Sequence, residues 1–304
     1  MYGYSGKILH IDLKTQKTWI EEKPEEWYKL WIGGVSMATR LCWENITPGC
    51  DPYSPENPVC IANGIFTGTP VPVGGKFGMA DKSPMTGFIG DSLSGSWFSI
   101  ALKRAGWDGV ILHNQSDHWV NVFIDDDHVE FLDAAYLLGK GTYETEEAIR
   151  EKLGDDQIRS CTIGPCGEHG VRFANVTNDG RQAGRTGHGS VWASKKLKAL
   201  SVRGTKGVRV YDPQTLMQLS YDISKAAQGE HTAKYRIYGT ATGMKNSNAM
   251  GVLPTRNFQE GVFEDIDLIS GEYLDEHHKV KVISCAQCPI ACEQMSIVKT
   301  GPFA

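Results

Sequence analysis

Three cysteines, Cys285, Cys288 and Cys292, stand at C-x2-C-x3-C spacing in SCAQCPIACEQ (284–294), and no other stretch restricts the architecture so tightly. Thiolates select soft metals: zinc, copper(I) or the iron of iron–sulfur clusters. The two-residue gap brings two sulfurs onto one metal or cluster face across a tight turn, and the three-residue gap adds a third. Pro289 and the small Ala286 and Ala291 suit such a turn. Clusters and structural zinc usually take four ligands, so the pattern is one short. On spacing alone three readings stay open: an iron–sulfur site, a zinc site completed by His277 or His278, or three unliganded thiols. Cys42, Cys50, Cys60, Cys161 and Cys166 lack supporting spacing and read as core or loop thiols.

The rest of the 304 residues must build a fold around that loop, with 40% hydrophobic and 22% charged residues, a globular mix with room for one large domain or two. No apolar run reaches the roughly 18 residues of a membrane helix. The start, MYGYSGKILHIDL, reads as a strand and not as an export signal. The expectation is therefore a cytoplasmic protein, with thiols or metal ligands in place of disulfides. A net charge of −5 argues against wholesale nucleic-acid binding. Yet from Gly180 to Tyr211 the chain carries Arg181, Arg185, Lys195, Lys196, Lys198, Arg203, Lys206 and Arg209 without one Asp or Glu. A basic island in an acidic protein suits a compact anionic ligand. Lys195, Lys196 and Lys198 on their own read as a solvated helix face.

Strand patterns dominate the first two hundred residues. KILHIDL (7–13) with KTWIEE (17–22) reads as a hairpin, as do VNVFID and HVEFLD across Asp126 and Asp127. PVCIANGIF (58–66) reads as a buried strand, and RSCTIG, VRFANV and ALSVRG complete the set. Helices are expected at 95–105, 143–153 and 190–198. At Tyr211 the character changes. Asp212-Pro213 is a good N-cap and first-turn pair, and Leu216, Leu219, Ile223 and Ala226 follow at helical spacing until Gly229. From there to Ile283 only helices and loops are expected. The fold class is α+β: a β-rich amino-terminal domain with a few helices (1–210), then the beginning of a mainly α-helical domain (211–304).

Two glycine-rich stretches could meet an anion. GTPVPVGGKFGMADKSPMTGFIGDSLSGSWFSIAL (68–102) has paired glycines before Lys76 and small polar residues that read as a loop leading into a helix near Ser94-Gly95. NDGRQAGRTGHGSVWASKKLKAL (178–200) sets Arg185 among glycines, again before a helix. Free N–H groups at a helix start form an anion cradle. Neither stretch is a Walker A or Rossmann motif.

Taken together, the Gly-x-Ile-Leu-x-Ile-Asp-Leu opening (6–13), SPEN (54–57), GTPVPVGG (68–75), KSPMTGF (82–88), IGPCGEHGVRFANVTNDG (163–180), AGRTGHG (183–189), SKKLKAL (194–200), RNFQEG (256–261) and the cysteine triplet resemble the amino-terminal half of the tungsten- or molybdenum-dependent aldehyde ferredoxin oxidoreductases. The resemblance implies a β-rich base on which a tungsten or molybdenum bis-molybdopterin lies, with magnesium bridging the pterin phosphates. Loops matching 74–76, 91–95 and 181–185 would contact pterin and phosphate. That makes Lys76, Leu93, Gly95, Ala183, Gly184 and Arg185 the implied cofactor contacts, with backbone oxygens of Leu93 and Ala183 toward magnesium. Cys285, Cys288 and Cys292 would ligate a 4Fe–4S cluster that passes electrons to ferredoxin after an aldehyde is oxidised to a carboxylic acid. Lys76 stands where many relatives have arginine, keeping the charge without the bidentate fork. Ser96 and His188 interrupt small-residue positions. The family's fourth cluster cysteine and its catalytic glutamate and histidine would lie beyond residue 304. The chain thus reads as a truncated enzyme or as one part of a split one, with a separately encoded C-terminal half and a homodimer among its expected partners. A non-catalytic remnant that binds metal at most, and a relative that reduces an aromatic substrate, remain as alternatives.

Overall fold

A computed structural model describes residues 1–302 of the chain. It divides into two compact units, Met1–Gln214 and Thr215–Ala304.

The first unit holds two six-stranded mixed sheets. One comprises β1 (Lys7–Asp12), β2 (Lys17–Glu22), β3 (Val59–Asn63), β4 (Lys76–Lys82), β5 (Ile89–Gly95) and β6 (Gly109–His113) in the order β2-β1-β6-β3-β4-β5. The other comprises β7 (Val120–Asp125), β8 (His128–Asp133), β9 (Arg159–Thr162), β10 (Val176–Asn178), β11 (Arg181–Ala183) and β12 (Leu197–Arg203) in the order β11-β10-β9-β12-β7-β8. The hairpins read from alternation form as β1–β2, paired from Lys7 with Glu22 to Asp12 with Lys17, and as β7–β8.

Burial on both faces explains the strands that read as continuous apolar runs. Leu9 and Ile11 of β1 enter a core between the sheets with Val59, Ile61, Phe77, Met79, Val122, Cys161 and Trp192. Ile8, one residue out of phase, enters a second core under the helices α1 (Glu25–Trp31) and α2 (Gly34–Asn45), with Tyr28, Met37, Leu41 and Cys60. The helix α3 (Trp97–Arg104) contributes Phe98, Ala101 and Leu102 to the central core. The helix α4 (Thr142–Leu153) covers the outer face of the second sheet through Ile149, beside Ile158 and Ala199. Two short helices, α5 (Pro165–Glu168) and α6 (His188–Ser194), complete the unit.

Several expectations change. The stretch 68–102 is not one loop: KFGMADK and IGDSLSG pair as β4 and β5 over seven residues. Gly95 is therefore the last residue of a strand, and the following helix starts at Trp97. Glycine and small polar residues disfavour strands in isolation, and full pairing with burial overrides that here. Of VRFANV only Val176 is in a strand, and the helix expected at 190–198 ends at Ser194 because Leu197 already opens β12. Lys195 and Lys198 are wholly buried, not solvated. Lys195 Nζ donates to the carbonyls of Asn114 (2.9 Å) and Pro55 (3.4 Å), and burial lowers its pKa to about 8. Lys198 Nζ pairs with Glu168 and donates to the carbonyl of Ile163 at 2.6 Å. The cation count of the island thus overstates its surface charge.

The second unit is mainly helical: α7 (Pro213–Ala227), which starts at the boundary, then α8 (Glu230–Tyr238), α9 (Met244–Ala249), α10 (Ile266–Ile269) and α11 (Gly271–His277). It also contains a hairpin of β13 (Lys279–Ile283) and β14 (Glu293–Ser296), so the span before Ile283 is not free of strand. Among the described residues no helix is long and apolar enough to cross a membrane.

Candidate cofactor site

The strands β4 and β5 set the first site. Lys76 opens β4 directly opposite Gly95, and Gly78 lies opposite Leu93. A Cβ on Gly95 would stand 2.9 Å from Lys76 Nζ, so the glycine is the space in which the lysine side chain lies. Lys76 and Leu93 line a cavity of about 430 Å³ together with Gly74, Phe66, and Gly33 to Ser36 at the start of α2. Leu93 is 55% exposed, Val73 39% and Phe66 51%, an apolar surface that water covers poorly. The first amides of α2 have no intrahelical acceptor, and no side chain caps them. Lysine and open amides suit phosphate oxygens, and the apolar surface suits a flat ring. The residues present therefore fit a phosphate-bearing pterin.

The opposite face of β5 fastens the second glycine loop. Ser92 Oγ accepts from Arg185 N (2.9 Å) and also lies 3.2 Å from Arg185 O, and Asn178 Nδ2 donates to Ser94 Oγ at 2.9 Å. Arg185 and Gly184 are exposed, while Ala183 is fully buried, so its backbone alone is available to a ligand. Thr186 follows at φ +63°, a left-handed conformation that β-branched residues rarely adopt. Three contacts hold it there. Its carbonyl accepts from Ser83 Oγ (2.7 Å), and its hydroxyl donates to Arg185 O (2.7 Å) and lies 3.2 Å from His188 Nε2. His188 Nδ1 in turn lies 2.7 Å from Asp81 Oδ2, both side chains wholly buried. Sequence reading singled out His188 but missed Asp81, which sits in β4 more than a hundred residues earlier. No local spacing could have joined them.

A pair of acidic residues supports the Gly95 corner. Asp179 Oδ2 accepts from Ser96 Oγ (2.8 Å) and from Trp97 N (3.1 Å), supplying α3 with the cap its own sequence lacks. Asp179 N in turn donates to Glu146 at 3.1 Å. Burial, with Asp179 close by, raises the pKa of Glu146 to about 8, and it therefore holds a proton at neutral pH.

The cysteine triplet lies in the other unit, in the loop between β13 and β14. All three thiols are free and half-buried, and Cys288 N donates to Cys285 O at 3.1 Å. Gln287 (φ 57°) and Ala291 (φ 52°), the residues directly before Cys288 and Cys292, are both left-handed. Such turns aim backbone amides into concavities that suit anionic clusters. Among the described residues no group of three His, Cys, Asp or Glu side chains is placed to hold a single metal ion. A cluster, with one thiolate per iron, needs its ligands farther apart than a single ion does, and this loop offers thiols alone. His277 and His278 belong to the end of α11, where His278 Nδ1 lies 3.2 Å from Ile297 O. The remaining cysteines differ in setting: Cys42, Cys50, Cys60 and Cys161 are buried, with burial raising the thiol pKa of Cys60 and Cys161, and Cys166 is exposed.

Comparison with known proteins agrees in kind. The model of the aldehyde ferredoxin oxidoreductase N-terminal domain matches residues 8–204, and that of domains 2 and 3 matches 218–304. The tungsten-containing aldehyde ferredoxin oxidoreductase of Thermococcus kodakarensis is 41% identical over 99% of this chain and 50% of its own length. That of Pyrococcus furiosus is 38% identical over 99% and 50%. The WOR-like subunit of an aliphatic sulfonate oxidoreductase from the same organism is 29% identical over 100% of this chain and 51% of its own length. Among solved structures, the active site complex BamBC of benzoyl coenzyme A reductase, in complex with 1,5-dienoyl-CoA, superimposes with a TM-score of 0.83 at 27% identity, covering 99% of this chain and 48% of its own. The chain thus spans about half the length of the curated relatives it matches.

Proposed function

This chain belongs to the aldehyde ferredoxin oxidoreductase family, and on that premise we propose that it supplies the cofactor floor and the first cluster ligands of a tungsten- or molybdenum-pterin oxidoreductase. The reading gives residues 1–210 to pterin binding and 211–304 to the start of the helical region. The single observation that carries it is the cavity where Lys76, Leu93 and the start of α2 converge, with the Arg185 loop fastened to the same strand.

The work falls to this chain's own groups. Lys76 and Arg185 neutralise phosphate charge, and the amides of α2 and Gly184 donate to phosphate oxygens. Leu93, Val73 and Phe66 exclude water from the ring face. The backbone carbonyls of Leu93 and Ala183 are the oxygens offered to magnesium. Cys285, Cys288 and Cys292 hold three corners of a 4Fe–4S cluster. When bound, the metallopterin would supply two-electron oxidation of an aldehyde with water to a carboxylic acid, and a cluster held by the three cysteines would supply one-electron transfer to a ferredoxin-type acceptor.

The aldehyde reading rests on relatives near 40% identity, above the 27% of the benzoyl coenzyme A reductase complex. Protein purified anaerobically with its natural partner polypeptides should reduce a one-electron viologen dye when given a small aldehyde. Dye reduction by a cyclic dienoyl thioester, oxidised to the aromatic thioester, and none with aldehydes, would favour the aromatic substrate. Absence of both would remove the enzymatic reading.

A further inference from the structure

We infer that a groove on the first unit, whose lining includes neither Lys76 nor Arg185, is a binding site for a small oxyanion carrying two or three charges, a pyrophosphate or a compact polycarboxylate. The groove holds about 190 Å³ and lies between α3 and the ends of β9 and β12. Trp97, Ile100 and Arg104 line it from α3, at the i, i+3 and i+7 positions of one helix face. Arg159 and Arg203 line it from the strands. Val202 pairs directly with Arg159, so the Arg159 side chain shares the sheet face that Val202 buries toward the central core, whereas Arg203, the next residue of β12, points to the opposite face. The floor is closed because Gly204 runs against α3: a Cβ there would stand 2.7 Å from the carbonyl carbon of Arg104.

Arg104 and Arg159 thus border one small space from facing elements, while the guanidinium of Arg203, on the other face of β12, is held by a carboxylate. Arg203 Nε donates to Asp155 Oδ2 at 2.6 Å and its Nη1 to Gly204 O at 3.3 Å. Among the described residues no side-chain hydrogen bond or ion pair is made by Arg104 or Arg159. The field of Arg159 reaches Glu146 and Asp155 without contact. The C-terminal end of α3 favours a cation at 104 but takes no hydrogen bond from its guanidinium. Like charges gathered in this way repel, and a bound anion relieves that repulsion while filling several forked donors at once. The volume of about 190 Å³ admits pyrophosphate or a tricarboxylate. The half-exposed ring of Trp97 borders the open end, where the uncharged part of a larger ligand would lie.

The test is calorimetric titration of the 304-residue chain with inorganic pyrophosphate and, in a parallel arm, citrate, at low and moderate salt. One saturable site is expected, weakening with salt. Arg104→Ala and Arg159→Ala should each lower affinity roughly ten- to hundredfold, and the double variant should abolish binding. Arg104→Lys, which keeps the charge but not the fork, should recover only part. Tighter binding of pyrophosphate or of citrate identifies a phosphate or a carboxylate ligand, and both uphold the site. No saturable binding by the parent overturns the inference. So does binding that survives in the double variant, or that is lost in Lys76→Ala and kept in the arginine variants, because the anion then sits on the cofactor face. Unchanged melting temperatures separate lost binding from lost folding.

Discussion

At the scale of single residues, the site depends on side chains that touch no ligand. Thr186 is kept in a left-handed backbone by its hydroxyl and carbonyl bonds, and the hydroxyl also meets the buried His188 that leans on Asp81. Thr186→Val keeps the shape but leaves Nε2 of His188 without its partner, so it should cost about 1–3 kcal/mol in urea unfolding. Thr186→Ser should cost little, and equal losses in both variants would place the effect in packing instead. Glu146 offers a second check through its pH dependence. Its pKa in the fold, about 8, lies above its ordinary 4.5. Its contribution to stability is therefore fully present below the ordinary value and is lost as pH rises through about 8. Glu146→Gln cannot ionise, so its stability relative to the parent should rise between pH 5 and pH 8, by an amount on the order of a few kcal/mol. Paired melting curves at the two pH values measure it, and a constant gap would mean that Glu146 is ionised throughout.

Among elements, the close approach of α2 to β4 places the helix start against the cavity. Gly78 makes it possible, since a Cβ there would lie within 2.5 Å of the carbonyl carbon of Gly34. Gly78→Ala should destabilise the first unit by about 1–3 kcal/mol, the usual cost of overpacking, and should displace α2 from Lys76. Amide exchange of residues 34–36 in the variant would report that displacement, and unchanged protection would deny it. The same pair of elements shows what a sequence reveals and what it hides. The strands β1, β3 and β7 carry alternation or unbroken apolar runs that follow from burial, and β2 and β8, largely exposed, are joined to β1 and β7 by hairpin turns. KFGMADK and IGDSLSG carry neither, because these strands are specified by pairing with each other and by glycines that admit α2 and Lys76. The helix α2 has no capping side chain, and Gly33 precedes it. Nothing in its first turn announces a helix. Lys195 and Lys198 mislead for a related reason: both are satisfied by backbone carbonyls contributed from distant loops, and Lys198 also by a distant carboxylate. The cysteine spacing and the second glycine stretch are local patterns that the sequence displays directly, whereas the first glycine stretch reads as a loop and folds as β4 and β5. The Asp81–His188 and Glu146–Asp179 supports were not legible, because only the folded chain brings their halves together.

For the whole molecule, the proposed cofactor floor lies in one unit and the proposed cluster loop in the other, and the curated relatives that this chain matches are about twice its length. The loop should take up iron and sulfide anaerobically only when a small thiol supplies the missing ligand, reaching about four irons per chain. Cys288→Ser should lose that uptake, and equal uptake by this variant would detach the triplet from the cluster. The floor is the more central claim, because every other role is arranged around it. Elemental analysis of the anaerobically purified complex tests it most directly, comparing parent with the double variant Lys76→Ala/Arg185→Ala. The account predicts tungsten or molybdenum bound in the parent and at least tenfold less in the variant, with melting temperature preserved. No tungsten and no molybdenum in the parent, or undiminished metal in the variant, would contradict it.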